Sequence, residues 1–321
     1  MSQELNNNKW RPTAKLAALT ARALMFSQVR QFFAERGVLE VETPLLCARS
    51  ITDPYIQPFV VEGNYLQTSP EYAMKRLVAD GAGSIYQICK AFRQEEAGNF
   101  HNPEFTMLEW YRMGFDHTQL MHETDLLLQL LLDNNKSAKK ISYQQLFQEK
   151  FDINPHTADI DTLQACATKH NINLSAAVIA ELNTTDWLQL LMSHVIEPQL
   201  TGPVPWIIYD FPAAQAALAK VIQAEYPVAA RFEVYMQGIE LANGYYELQN
   251  AAEHVKRFTA DNVKRTQAGV NNHAIDERLI AALEAGLPDC SGIALGLDRV
   301  LMLKMQAKSI AEVLSFTVKN A

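Results

Sequence analysis

Paired cysteines, runs of basic residues and long apolar stretches are all missing from this 321-residue chain. Its four cysteines, Cys47, Cys89, Cys166 and Cys290, form no C-x-x-C pair, and no histidine cluster stands at zinc spacing. That argues against a disulfide-stapled secreted scaffold and against the common zinc modules, and points to free thiols in a reducing cytosol. No run of Lys or Arg exceeds two, and the net charge is −8. A broad phosphate-reading surface is therefore not expected, although a few placed arginines still suffice for one nucleotide. No stretch approaches the ~18 uninterrupted apolar residues of a membrane span. The opening MSQELNNNKWRP has no apolar core of a secretory signal. A soluble, cytoplasmic protein with no membrane partner is expected. What remains is ordinary: 48% hydrophobic and 20% charged residues, enough to build a large core without staples.

No internal repeat or low-complexity segment is visible either. Residues 1–13 read as a loose leader, and 14–321 as one domain. From Lys15 to Arg36, Leu16, Leu19, Phe26, Val29 and Phe33 recur at helical spacing, and Gly37 follows as a C-cap. Val38, Leu39 and Val41 suit a strand that Pro44 stops. YIQPFVVEGNYLQT (55–68) reads as a hairpin around a Gly-Asn turn. The following helix has Ser69 as N-cap, Pro70 at N1 and Gly81 past its end. SIYQICKAFR and FTMLEWYRMG read as two strands joined by the polar QEEAGNFHNPE. Residues 116–200, rich in Leu, Gln, Asp and Asn, read as a helical insertion. WIIYDFP (206–212) is a buried strand, and two more strands flank Gln237-Gly238. An amphipathic helix and a Gly-containing strand running into a helix close the chain. Hairpins with helices packed outside predict an α+β fold with a mainly antiparallel sheet, not a Rossmann alternation.

Three segments carry chemistry. In FRQEEAGNFHNPEFTMLEWY (92–111), Arg93 and Glu95 lie two apart and share one side of an extended chain. Arg suits a phosphate, Glu an amino group such as that of adenine, and Phe105 the face of a base. Glu109 and Tyr111 again share a face, a pairing suited to a cationic amine. A generic R-x-E hairpin also fits a surface ribbon with weak ion pairs. In GIELANGYYEL (238–248), Glu240 and Glu247 flank Asn243-Gly244. A bend or bulge there would let both carboxylates reach one Mg²⁺ beside substrate phosphates; otherwise they are two solvated glutamates. In CSGIALGLDRVLML (290–303), Gly292 and Gly296 permit close approach of a ligand, and Arg299 opens a helix. The bland alternative is a core strand with an Asp298–Arg299 surface pair.

Taken together and in order, these strings resemble the three signature motifs of class II aminoacyl-tRNA synthetases. GVLEVETPLL with the helix before it looks like the first, FRQE…HNPEFTMLEWY the second and GIALGLDR the third. HNPEFTMLEWY with ELANGYYEL is similar to the lysyl-tRNA synthetases in particular. The match covers nearly the whole chain and implies the class II catalytic fold and a homodimer through the first motif. Lysyl enzymes carry an N-terminal anticodon-reading domain for which the chain before residue 14 leaves no room. The resemblance extends to truncated bacterial paralogues that adenylate (R)-β-lysine and pass it to a lysine ε-amine of elongation factor P, which makes tRNA an unlikely acceptor.

Residue by residue, the resemblance implies catalytic roles for Arg93 and Arg299. Arg93 binds the α-phosphate, and Glu95 and Asn102 the adenine side. Phe105 and Arg299 sandwich the adenine, with Leu241 and Gly296 lining the ATP site. Glu240 and Glu247 hold Mg²⁺. Ser69, Pro70, Glu71, Glu109, Tyr111 and Glu247 contact the amino acid. Ala294 stands where lysyl enzymes usually have glycine, a methyl-sized change worth about 1–3 kcal/mol against one amine position. Two rivals remain: a short enzyme charging tRNA with α-lysine, and a non-catalytic paralogue. The second should have lost a motif arginine or metal carboxylate, and all four are present.

Overall fold

A computed structural model describes residues 10–94 and 97–321. Most of the expected leader, and Glu95, lie outside the described residues. The chain divides into two compact units: residues 1–115, 126–135 and 249–321 form the first, and residues 116–125 and 136–248 the second.

The first unit opens with α1 (Leu16–Ala34), which ends as expected with Gly37 at φ 65°. Thr13 and Ala14, placed in or beside the expected leader, are hydrogen-bonded to the backbone of Ser315 and Leu314. Strands β1 (Leu39–Glu40), β2 (Leu46–Cys47), β3 (Val60–Val61) and β4 (Asn64–Leu66) are short. The β3–β4 turn is Glu62-Gly63, both at positive φ (48° and 78°), one residue earlier than the expected Gly-Asn. Helix α2 (Glu71–Ala79) begins one residue later than read from sequence, with Pro70 at its N-cap and the Ser69 hydroxyl accepting from Glu71 N at 3.1 Å. Then come β5 (Ile85–Phe92) and β6 (Glu104–Met113), an antiparallel pair.

Helix α3 (His117–Leu131) is divided, residues up to 125 counting with the second unit and the rest with the first. The insertion holds β7 (Lys139–Ser142), α4 (Tyr143–Phe151), α5 (Ile160–Lys169), α6 (Ala176–Ile179) and α7 (Thr184–Leu191). It is thus not wholly helical, since β7 pairs in parallel with β8 (Trp206–Pro212). Strands β9 (Val221–Ile222), β10 (Val228–Met236) and β11 (Ile239–Tyr246) complete this unit, with β10 antiparallel to β8, β9 and β11. Trp187, Leu188, Leu191, Phe147 and Phe211 belong to its core. Back in the first unit are α8 (Ala251–Gln267), α9 (Glu277–Gly286), β12 (Cys290–Gly296) and α10 (Leu297–Lys304).

In the first unit β1 runs parallel to β5, while β5, β6 and β12 pair antiparallel. Alternation then sorts the side chains of β6 onto two faces. Thr106, Leu108 and Trp110 face α1, where Phe33 stacks on Tyr86 at 4.5 Å and meets Trp110 at 5.4 Å. Phe105, Met107, Glu109 and Tyr111 share the opposite face. The register puts Gly292, Ala294 and Gly296 of β12 directly across from Tyr111, Glu109 and Met107. Opposed residues point to the same side, so small residues lie beside the polar ones on that face.

Candidate active site

Glu109 anchors the first unit's polar face. It is an acidic side chain, yet only 2% exposed. Ser69 Oγ donates to one oxygen at 2.7 Å and the Tyr111 hydroxyl to the other at 2.8 Å. Burial, reinforced by the charge of Glu71, pushes its pKa up to about 8, against the opposing pull of those two hydrogen bonds and of Lys75. A cationic ligand would lower that pKa and claim the charge. The face therefore suits an ammonium group.

Glu71, in the first turn of α2, pairs with Lys75 Nζ at 2.6 Å. Lys75 has no exposed side-chain surface. Sequence reading missed it, although the Glu-x-x-x-Lys spacing on a helix is a recognised pairing signal. A buried cation needs a partner, and Lys75 ties Glu71 to its own helix. Ser69, Pro70, Glu71, Glu109, Tyr111 and Ala294 are thus gathered by the α2 entry and by one face of β6 and β12.

The arginine-bearing loop lies at the other end of the same strands. Arg93 follows β5, donates Nε to Thr68 O at 3.3 Å and stands 5.2 Å over the Phe105 ring. Asn102 is buried and already engaged: its Nδ2 donates to Glu104 O at 2.6 Å and its Oδ1 accepts from Val318 N at 3.4 Å. Arg299, in the first turn of α10, donates to Phe100 O at 3.3 Å. Its neighbour Asp298 is not the surface pair considered above. It is 1% exposed, bonds Arg22 Nη2 at 2.5 Å and accepts from Thr106 N at 2.7 Å. Asp298 thus joins the third motif to the second and to α1. No spacing rule would have linked it to Arg22, 276 residues away.

In the second unit Glu240 and Glu247 lie on and just past β11. Asn243 and Gly244 sit in unbroken register with Glu233 and Phe232, so no bend occurs there. The irregularity lies elsewhere: Tyr235 pairs with Glu240 and Val234 with Ala242, leaving Leu241 as an extra residue. In a regular strand, residues seven apart face opposite ways. One bulged residue reverses that parity and turns Glu240, Asn243, Tyr245 and Glu247 to a common face. Leu241 and Ala242 are both buried on the other. No group of three or more His, Cys, Asp or Glu able to hold a metal occurs among the described residues. A pair of carboxylates without a full protein cage is the donor set of a Mg²⁺ that arrives with phosphates. On the same face the Tyr235 hydroxyl donates to Glu233 at 2.6 Å and stands 3.3 Å from Glu197. Burial, then the charge of Glu233, pushes Glu197 up to about 7.

A family model described as tRNA synthetases class II (D, K and N) matches residues 7–320. The chain belongs to that family of class II synthetases. Its similarity extends to individual members. It is 48% identical to the elongation factor P–(R)-β-lysine ligase of Edwardsiella ictaluri over 97% of this chain and 98% of that one. The ligase of the same name from Vibrio cholerae serotype O1 is also 48% identical, over 99% of this chain and 100% of its own. No helix among the described residues is long and apolar enough to cross a membrane.

Proposed function

We propose that the chain is an ATP-dependent ligase that activates (R)-β-lysine as its acyl-adenylate and transfers it to a lysine ε-amine of elongation factor P. The observation that carries this reading is the near-full-length likeness to ligases of that name. Glu109, buried near the charge of Glu71, supports an amine-bearing substrate.

In this reading Glu71 and Glu109 receive the ammonium groups, and Ser69, Pro70, Tyr111, Glu247 and Ala294 shape the amino-acid site. Holding those cations aims the substrate carboxylate, and such positioning contributes several kcal/mol. Arg93 binds the α-phosphate through paired donors. Phe105 and Arg299 take the two faces of adenine, Glu95 and Asn102 its edge, and Gly296 and the backbone of Leu241, whose side chain is buried on the other face of β11, line the site. Glu240 and Glu247 hold Mg²⁺, which when bound neutralises phosphate charge and eases the departure of pyrophosphate. One carboxylate oxygen of the amino acid bonds to the α-phosphorus as the bond from that phosphorus to pyrophosphate breaks. The acceptor's neutral amine then attacks the acyl carbon, AMP leaves, an amide forms, and the amine's proton passes to a phosphate oxygen.

In this reading the acceptor is a protein and not tRNA, which the naming of near-full-length relatives for elongation factor P supports. A translation factor as partner implies work in the cytoplasm. Residues 14–321 act as one catalytic domain, and the exposed Leu39, Leu45, Leu46, Val60 and Val61 form the contact of a homodimer.

Amino-acid-dependent ATP–pyrophosphate exchange tests the reading. Strong exchange with (R)-β-lysine and weak exchange with α-lysine is expected, followed by a mass gain of one β-lysyl group on elongation factor P. Preference for α-lysine would move the assignment to a tRNA-type enzyme, and no exchange with any lysine isomer would sink it.

A further inference from the structure

The insertion ends in an unusual way. A π-helical turn (Met192–Ile196) runs straight into a 3₁₀ turn (Glu197–Gln199), and π turns tend to mark functional positions. This end grips the β10–β11 hairpin. Gly238 N donates to Leu200 O at 3.2 Å, and Gln237 Nε2 donates to Gly202 O at 2.7 Å. A Cβ on Gly238 would stand 3.3 Å from Glu197 O, so the two backbones are closely apposed. Both hairpin residues have positive φ (55° and 74°), which gives the tight two-residue turn that sets register.

The side chains repeat the grip. Tyr235, 2% exposed, lies directly opposite Glu240 and on its face. Its hydroxyl reaches Glu233 on its own strand and Glu197 on the insertion. Glu233 in turn pairs with Arg231 and accepts from Asn243 Nδ2 at 3.4 Å. Arg231 Nη1 closes the chain by donating to Gln215 O at 2.9 Å. The carboxylate-bearing stretch of β11 is thus flanked by a line of buried and half-buried polar groups, one end of which belongs to the insertion.

We propose that the end of the insertion is a positioning clamp for Glu240, in which Glu197 and Tyr235 hold the hairpin so that this carboxylate keeps the place its Mg²⁺ requires. The inference rests on the reading above that Glu240 holds the metal. Tyr235 and Glu197 are positioning residues: they act through Glu240 and touch neither substrate nor ion. Groups that orient metal ligands commonly govern affinity for the ion without governing binding of the other substrate.

The test is the heat of Mg²⁺ binding to the full-length chain holding a non-hydrolysable ATP analogue, run beside ATP–pyrophosphate exchange with (R)-β-lysine over the same Mg²⁺ range. In Tyr235→Phe and Glu197→Ala the half-saturating Mg²⁺ concentration should rise about tenfold, with KM for β-lysine within about twofold. Glu197→Gln keeps an acceptor oxygen and should restore most of the wild-type Mg²⁺ requirement. A wild-type requirement in both Tyr235→Phe and Glu197→Ala overturns the clamp. So does an equal rise in both parameters, which is the mark of general loosening. Melting curves identify any variant that fails to fold; Glu197→Ala then carries the test, because that side chain sits on a short turn outside the sheet. Glu240→Gln separates the two ideas: an unchanged Mg²⁺ requirement there removes the metal reading itself, whereas a raised one beside unaffected clamp variants removes the clamp alone.

Discussion

Glu109 is an acid whose charged form folding disfavours. Its pKa is 4.5 when unperturbed and about 8 in the folded chain. Between those values the folded state holds a proton that the unfolded state has released. Stability therefore falls as pH rises through that window, and the loss is complete above about pH 8. Glu109→Gln should remove this slope, melting higher than wild type at pH 8.5 and close to it at pH 5. Activation of β-lysine should be lost in the same variant. An ammonium ligand reverses the preference, so binding at pH 7 should release close to one proton, and affinity should climb by up to about tenfold per pH unit until near pH 8. Calorimetry in buffers of different ionisation enthalpy reads this directly; a buffer-independent heat at pH 7 would refute it. Ala294 lies directly across from Glu109. Ala294→Gly should shift the exchange reaction toward α-lysine, by about 1–3 kcal/mol at most in relative kcat/KM. An unchanged ratio would free that methyl of any role in selectivity.

Elements were legible from the sequence where their pattern is local. The strand WIIYDFP and the turn Gln237-Gly238 lie where alternation and turn chemistry put them. Strand β7 was not, because KKIS has too few residues to show a period and takes its place only by pairing with β8. Helix α9 carried a usable signal in Asp276, which caps it by accepting from Arg278 N and Leu279 N. The common face of Glu240 and Glu247 could not be read. It depends on a bulge at Leu241 that only the pairing with β10 defines. Asp298 is the same kind of case, since its burial depends on an arginine from the first helix. That joint makes a prediction at this scale. Asp298→Ala leaves Arg22 without its buried partner and Thr106 N without an acceptor. Loss of one member of such a pair costs about 3–5 kcal/mol. Denaturant melts should show a loss of that order, with Asp298→Asn milder because it still accepts from Thr106 N. A fall below about 1 kcal/mol for the alanine variant would reduce Asp298 to an ordinary surface-type pair.

At the scale of the molecule, the first unit leaves a good deal of apolar surface uncovered. Leu16 is 78% exposed and Leu24 61% on α1, with Leu39 at 56%, Leu46 at 49% and Val60 at 61% on the short strands that follow. Single exposed apolar residues need no explanation, but a group of them drawn from neighbouring elements marks a contact surface. A short, unblunted strand edge is also open to pairing with another chain. The first class II motif lies in this stretch, so a second copy of the chain is the occupant that the family resemblance implies. Charged side chains at Leu46 and Val60 would have to be desolvated in such a contact, each at a cost of several kcal/mol. Leu46→Glu with Val60→Lys should therefore sediment as a monomer at concentrations where the wild type is a dimer. Both positions are at least 49% exposed in the single chain, so the monomer should keep its circular dichroism and its melting temperature to within a few degrees. A double variant that remains dimeric would move the contact to another face. A wild type that is itself monomeric at micromolar concentration would leave these side chains to the protein acceptor instead, and the same double variant should then weaken acylation of elongation factor P while leaving pyrophosphate exchange intact.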